Sequence, residues 1–296
     1  MKIKQITKIA TDKSKFKALG NFVDFAELYL EYVATKLQAV IVSQNENHYQ
    51  FYQYGSDGGY QITRPINSRL MYTNTEFLLN KKTFIESLKN VKDITSTDDR
   101  QRINRFVYTL QMSIGSALDA LPVGKSNTAR KINGDLFEHL IRLVIRSIGL
   151  KCEPGVIQVP VMLRGKEQFK MSYQHDLVIK TDEKIKLIGS IKTSSKDRID
   201  KIFIDKFLYS KLTDTNTPHI AVFLNDVQRK NTSKKNKYGI NATFLPGHFR
   251  GYTVKLNPLD GVYYCDIRPN MLTEDILKDQ IRTFDRLLCG DIWKFL

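Results

Sequence analysis

Apolar side chains recur at helical spacing from residue 21 to residue 41, and Asn21 or Asp24 is available as a cap, so the pattern predicts a helix with one buried face. Residues 44 to 63 turn polar and rich in tyrosine, and the Gly58-Gly59 pair between two short runs predicts a small hairpin. A second amphipathic stretch covers 97 to 121, with Ile103, Phe106, Val107, Leu110 and Leu118 as its apolar positions. Pro122 to Asn133 then reads as a connection. The main organisational boundary falls there, separating an N-terminal region, 1–125, from a second region, 126–296. Neither half contains an internal repeat or a low-complexity tract.

The second region carries the denser pattern. Residues 134 to 150 predict a helix whose apolar stripe is Phe137, Leu140, Ile141, Val144, Ile145 and Ile148, with Gly149 as a stop and Glu138 on the flank of the stripe. Three strands follow at 155–163, 170–180 and 184–192, the last two joined by a tight polar turn. A helix from about Ser195 to Leu212, with Ser194 or Ser195 as its cap, leads to an apolar strand at 219–224. Two further strands are expected at 251–256 and 261–267, and a last helix from about Thr273 to Leu288. Helix, three strands, helix and strand make a mixed α/β (α+β) core with a central mixed sheet flanked by helices, preceded by a helical and hairpin region.

Composition narrows the partners. The chain has 296 residues, of which 42% are hydrophobic, enough for a sizeable core in one domain or two. Its 46 Lys and Arg against 31 Asp and Glu give a net charge of +15, the footprint of a protein that meets polyanions, with nucleic acid the leading partner. No window approaches the roughly 18 to 20 consecutive apolar residues of a spanning helix. The basic N-terminus lacks the apolar segment and cleavage site of a secretory signal, so a soluble cytoplasmic protein with no membrane partner is the expectation. Cys152, Cys265 and Cys289 are widely spaced and ungrouped with histidine, which reads as reduced core residues rather than a zinc site.

Alternation along the strand 184–192 puts Lys186, Ile188, Ser190 and Lys192 on one face. Lys192 emerges at the strand end, and the antiparallel neighbour brings Asp176 to the same end of the hairpin. With Glu138 from the upstream helix, these residues suit metal-assisted phosphodiester hydrolysis. Asp176 offers the carboxylate oxygens that Mg²⁺ prefers, and Lys192 orients the attacking water or balances charge developing on the phosphate. A second carboxylate is required. The run from Gln228 to Gly239, with Arg229, Lys230, Lys234, Lys235 and Lys237, is a basic, turn-rich loop suited to phosphate contact. The tyrosines and amides of the 44–63 hairpin could touch DNA or form an ordinary hairpin face, and His139, His175 and His248 read as structural.

The order of elements, with Asp176 and the "SIK" ending in Lys192, resembles the PD-(D/E)xK nucleases. The motif departs from the general form at His175, where proline is common, and at Ser190, which occupies the acidic place. One branch of type II restriction endonucleases, the EcoRII-like enzymes and relatives cutting CCGG and CCNGG sites, supplies that acid from the next helix. The thirteenth residue after Lys192 is Asp205, at the spacing of that branch; periodicity leaves Asp200 as a rival on the other flank of the helix. The same branch keeps a basic-acidic-basic triplet four residues after the lysine, and "KTSSKDR" looks closely like it.

The resemblance covers residues 134 to 224 and implies a restriction-endonuclease-like core in a bacterial or archaeal cell. It implies a type II site-specific deoxyribonuclease using Mg²⁺ held by Asp176 and Asp205, with Glu138 in support and Lys192 on the water. Lys196, Asp197 and Arg198 would read a C·G-rich CC..GG core of double-stranded DNA in the major groove, since Lys and Arg donate to guanine and Asp accepts from cytosine. A palindromic site implies a homodimer, and a restriction enzyme implies a cognate DNA methyltransferase as genetic partner. Residues 1–125 would add dimer or DNA contacts. A structure-directed repair or recombination nuclease, and a DNA-binding protein without catalysis, are the alternatives.

Overall fold

The computed structural model describes residues 1–56, 59–122, 124–196, 198–230 and 238–296. The chain divides into two compact units, Met1–Val144 with Val227–Thr243, and Ile145–Asp226 with Phe244–Leu296. Among the described residues, no helix is long and apolar enough to cross a membrane.

In the first unit, α1 (Ile3–Thr11), α2 (Leu19–Lys36) and α3 (Asn74–Lys89) pack on α4 (Thr97–Leu118). The sequence pattern for α4 suggested one buried face; every residue from Phe106 to Leu118 is buried. Two of its buried polar side chains find partners within the unit: Gln111 Nε2 donates to the Asn133 carbonyl and side-chain oxygens, and Ser113 Oγ donates to the Thr109 carbonyl. α2 starts two residues before Asn21, whose side chain is no cap of its own but accepts from the Ala18 N–H. The expected hairpin is present as β2 (Tyr49–Ser56) and β3 (Gly59–Ile62), in a sheet with β1 (Ala39–Val42) and β4 (Ile66–Asn67). α5 (Ser126–Ser147) begins eight residues before the expected Gly134, so much of the expected connection is helical.

The second unit is built on a sheet of six strands. β5 (Cys152–Leu163), β6 (Lys166–Thr181) and β7 (Lys184–Lys192) run antiparallel to one another, and β8 (His219–Phe223) joins β7 in parallel after α6 (Ile199–Thr213). The remaining strands are β11 (Gly261–Tyr264) and β12 (Ile281–Thr283), giving the order β12-β11-β8-β7-β6-β5. The half from β12 to β7 is thus parallel and the half from β7 to β5 antiparallel, the mixed sheet the sequence led us to expect. α6 covers the face carrying Ile188 and Ala221: Ile202 and Phe203 pack with Ala221 and Phe223, and Tyr209 with Tyr173, Val159 and Ile188.

β9 (Val227–Lys230) and β10 (Gly239–Ala242) belong to the first unit as an antiparallel pair. Ile240 packs there with Tyr49 and Phe51. The basic segment therefore begins as strand, with Arg229 and Lys230 exposed on β9; Lys234, Lys235 and Lys237 lie outside the described residues.

Two other expectations give way. Residues 251–255 are helical, within α7 (Pro246–Lys255), and Leu256 is its C-cap. The alternation over six residues was too short to decide; Pro246, in the first turn, and the spacing of Phe249, Tyr252 and Leu256, all packed in the same cluster as Phe203, make the helix. The last helix is cut short: α8 (Asp275–Gln280) ends where β12 pairs with β11, and Thr273 donates to the Asn270 carbonyl instead of capping it. Among the described residues no disulfide is formed; Cys152 and Cys265 are buried and Cys289 is half-buried.

Candidate active site

β6 pairs Val178 with Glu153 but His175 with Gly155, so two residues of β6, Asp176 and Leu177, stand opposite the single Pro154. Pro154 has no N–H to give to a ladder, which places it naturally at such an irregularity. A bulge of this kind re-aims side chains. Leu177 turns onto Gly189, where an added Cβ would come within 2.9 Å of the leucine Cδ2, so glycine in "GSIK" makes room for the bulge. Asp176 turns to the end of β7. Its Oδ2 accepts from the Ile191 N–H at 2.8 Å and from Lys192 Nζ at 2.6 Å. The sequence expectation that Asp176 and Lys192 meet is matched by this contact.

The pair is neither sealed nor open. The Asp176 side chain is 11% exposed and that of Lys192 29%, so charge-assisted hydrogen bonding is strong there while solvent still reaches the lysine. Ser190, in the place where an acid is usual, is half-buried on the same strand face as Ile188 and Lys192, the face α6 covers.

Asp205 and Asp200 are both on α6. Asp205 is half-buried and accepts from the exposed Lys201 at 2.6 Å, one turn away. His175 is buried among Tyr173, Tyr209 and His219. Burial pushes its imidazole pKa down, while the charges of Asp205 and Asp176 push it up. Those two carboxylates therefore act on one imidazole. Asp200, in the first turn of α6, has a buried Oδ1 with no hydrogen-bond partner among the described residues. Glu138 is half-buried on the stretch of α5 that belongs to the first unit. No group of three or more His, Cys, Asp or Glu side chains among the described residues is gathered as a metal site.

The turn after β7 differs from its expected form. α6 starts at Ile199, and neither Ser194 nor Ser195 caps it with its side chain. Both serines instead donate to Asp226, a residue that the sequence reading did not single out. Lys196 and Arg198 are exposed where the turn enters α6, and Asp197 lies outside the described residues. No signal local to the turn could have identified Asp226, since it lies 31 residues on from Ser195 and reaches it only because β8 runs beside β7.

No family model matches the chain, and no curated protein matches its sequence. The crystal structure of the type IIP restriction endonuclease Kpn2I is similar over 99% of this chain and 97% of its own, with a TM-score of 0.71 at 20% identity. A complex of the restriction endonuclease PspGI with substrate DNA matches over 73% of this chain and 89% of its own, with a TM-score of 0.45 at 13% identity. The likeness to Kpn2I gives the chain a restriction-endonuclease-like fold, a mixed α+β architecture whose central sheet carries Asp176 and Lys192 on adjacent strands.

Proposed function

We propose that the chain is a type II site-specific deoxyribonuclease, hydrolysing phosphodiester bonds of double-stranded DNA with Mg²⁺. The observation that carries this reading is the Asp176–Lys192 contact of 2.6 Å at a bulged strand end in a restriction-endonuclease-like fold.

The residues present fit the metal. Mg²⁺ takes oxygen ligands and keeps several waters, so one or two carboxylates with substrate phosphate suffice. Asp176 and Asp205 would hold it. Bound there, Mg²⁺ supplies polarisation of the phosphoryl oxygen and a more acidic water. The chain's own groups do the rest. The Ile191 N–H holds Asp176 in one orientation. Lys192 Nζ, beside that carboxylate, orients the attacking water and balances the charge that grows on the phosphate.

Recognition falls to Lys196, Asp197 and Arg198. Lysine and arginine donate to guanine N7 and O6 and aspartate accepts from cytosine N4, which suits a CC..GG core as in the EcoRII-like branch. Arg229 and Lys230, with Lys234 and Lys235, supply phosphate contacts that favour binding without reading sequence. Residues 126–296 would carry catalysis, and 1–125 dimer or DNA contacts. A palindromic site would be met by a homodimer, in a cytoplasm where a cognate methyltransferase protects the host DNA.

Incubating plasmid DNA with the protein and Mg²⁺ tests the reading. Discrete fragments are expected. A smear points to structure-directed cutting, and no cleavage leaves a DNA-binding protein without catalysis.

A further inference from the structure

We propose that Asp226 is the positioning residue for base recognition, fixing the backbone of the turn from which Lys196 and Arg198 emerge; this rests on the nuclease reading above. Asp226 follows β8 and is fully buried. Its Oδ1 accepts from the Ser195 N–H at 2.8 Å and from Ser194 Oγ at 3.0 Å. Its Oδ2 accepts from Ser195 Oγ and from the Tyr264 hydroxyl, the latter at 2.6 Å. Burial and the neighbouring carboxylate push the Tyr264 phenol pKa far up, so that hydroxyl remains a donor.

Three of these donors come from the turn, and the bonding continues along it. Ser194 Oγ accepts from the Lys196 N–H at 3.2 Å. The Ser195 carbonyl accepts from the N–H groups of Arg198 and Ile199 at 2.9 and 3.1 Å. One carboxylate thereby anchors the two serines whose Oγ and carbonyl oxygens hold the amides of Lys196, Arg198 and Ile199. The same strand end sets Lys192: it pairs with Phe223 of β8, and its carbonyl accepts from the Leu224 N–H at 3.2 Å. The catalytic lysine and the base-reading block are thus fixed from one support, three residues apart on β8 and its extension.

A buried carboxylate is a costly way to fill space, and well-packed apolar groups often serve stability as well or better. What the carboxylate supplies that an apolar group does not is direction, because each donor must approach a particular oxygen. That property matters where a turn must present side chains to base edges in register.

Asp226→Asn keeps the shape of the side chain but replaces one acceptor oxygen with a donor, so two of the four donors that point at the carboxylate lose their acceptor. Tyr264→Phe is the milder variant, removing one donor. For each, we would measure cleavage of a duplex carrying the mapped site against duplexes altered by one base pair, and hydrogen exchange at the amides of 195–199. The expected result for Asp226→Asn is at least a tenfold loss of discrimination and tenfold faster exchange at those amides. Tyr264→Phe should lose several-fold in both. Rates that fall by one common factor on all duplexes would overturn the proposal, as would unchanged exchange. If Asp226→Asn does not fold, Tyr264→Phe decides alone by the same criteria. If the unaltered chain cuts nothing, the nuclease reading falls, and the exchange rates still decide whether Asp226 holds the turn.

Discussion

A carboxylate sits near each end of the ladder that β7 and β8 share, partly exposed at one end and fully buried at the other, and the two meet different donors. Near the start of β8, Asp260 accepts from Lys206 Nζ at 2.8 Å and from the His219 N–H at 2.7 Å. Lys206, on α6 and only 2% exposed, also donates to the Pro258 carbonyl. That anion meets a cation, and together they bolt a helix to the segment leading into β11. At the far end, Asp226 takes hydroxyls and an amide, while the cations of the turn, Lys196 and Arg198, are left exposed. An ion pair holds its cation within the fold, whereas hydroxyl and amide donors fix the course of a turn. The first arrangement serves stability and the second serves the site.

The sharpest way to test that division is to remove a cation from each end. Lys192→Ala should leave DNA binding near normal and lower the cleavage rate per folded molecule at least about a hundredfold, the cost of losing a preorganised charge at a reacting phosphate. Full cutting by this variant would end the mechanism proposed here. Lys206→Met should do the reverse. It leaves Asp260 unpaired, and because that carboxylate is 28% exposed the loss should be about 2–3 kcal/mol, below the range for fully buried pairs. Urea unfolding gives the stability, and cleavage per folded molecule should stay unchanged. A fall in cleavage specificity in Lys206→Met would erase the distinction between the two ends.

The same comparison marks what the sequence made legible. Asp176 and Lys192 could be placed together because alternation and one tight turn connect them within a single hairpin, 16 residues apart. The bulge that aims Asp176 left a trace as well, in Pro154 opposite it, but a lone proline in a strand does not name its partner. Asp226 and Tyr264 left none: they meet Ser195 from 31 residues and more away, through parallel strand neighbours whose order is a property of the assembled sheet. The misreading of α7 has a related cause. Six residues of alternation are compatible with either period, and the deciding neighbours, Phe203 and Phe249, are set by tertiary packing.

Base reading should respond next in size. Arg198→Ala is expected to cost about 1–3 kcal/mol of discrimination at one base pair of the site while leaving discrimination at the others in place. Competition binding between the mapped site and its single-base variants measures this directly. Loss spread evenly over all positions would mean that Arg198 serves as a phosphate contact and that the exposed cations of the turn do not read sequence.

The smallest effect concerns pH and belongs to the stabilising end. His219 is buried, its Nδ1 lies 2.8 Å from the Thr217 carbonyl, and burial lowers its pKa to about 4. In the unfolded chain an imidazole titrates near 6.5. Between those values the unfolded chain binds more protons than the folded one, so this contribution is fully present above about pH 6.5 and is lost as the pH falls towards 4. By pH 5.5 the loss should be about 1 kcal/mol, at up to about 1.4 kcal/mol per pH unit. His175, lowered in the same direction by burial, adds to the slope. Urea midpoints at pH 7.5 and 5.5 measure the loss, and His219→Gln should flatten it without changing hydrogen exchange at residues 195–199. An unaltered slope in that variant would move the titration elsewhere. Faster exchange in the turn would show instead that the two ends of β8 are coupled, so that stability at one end is already part of recognition at the other.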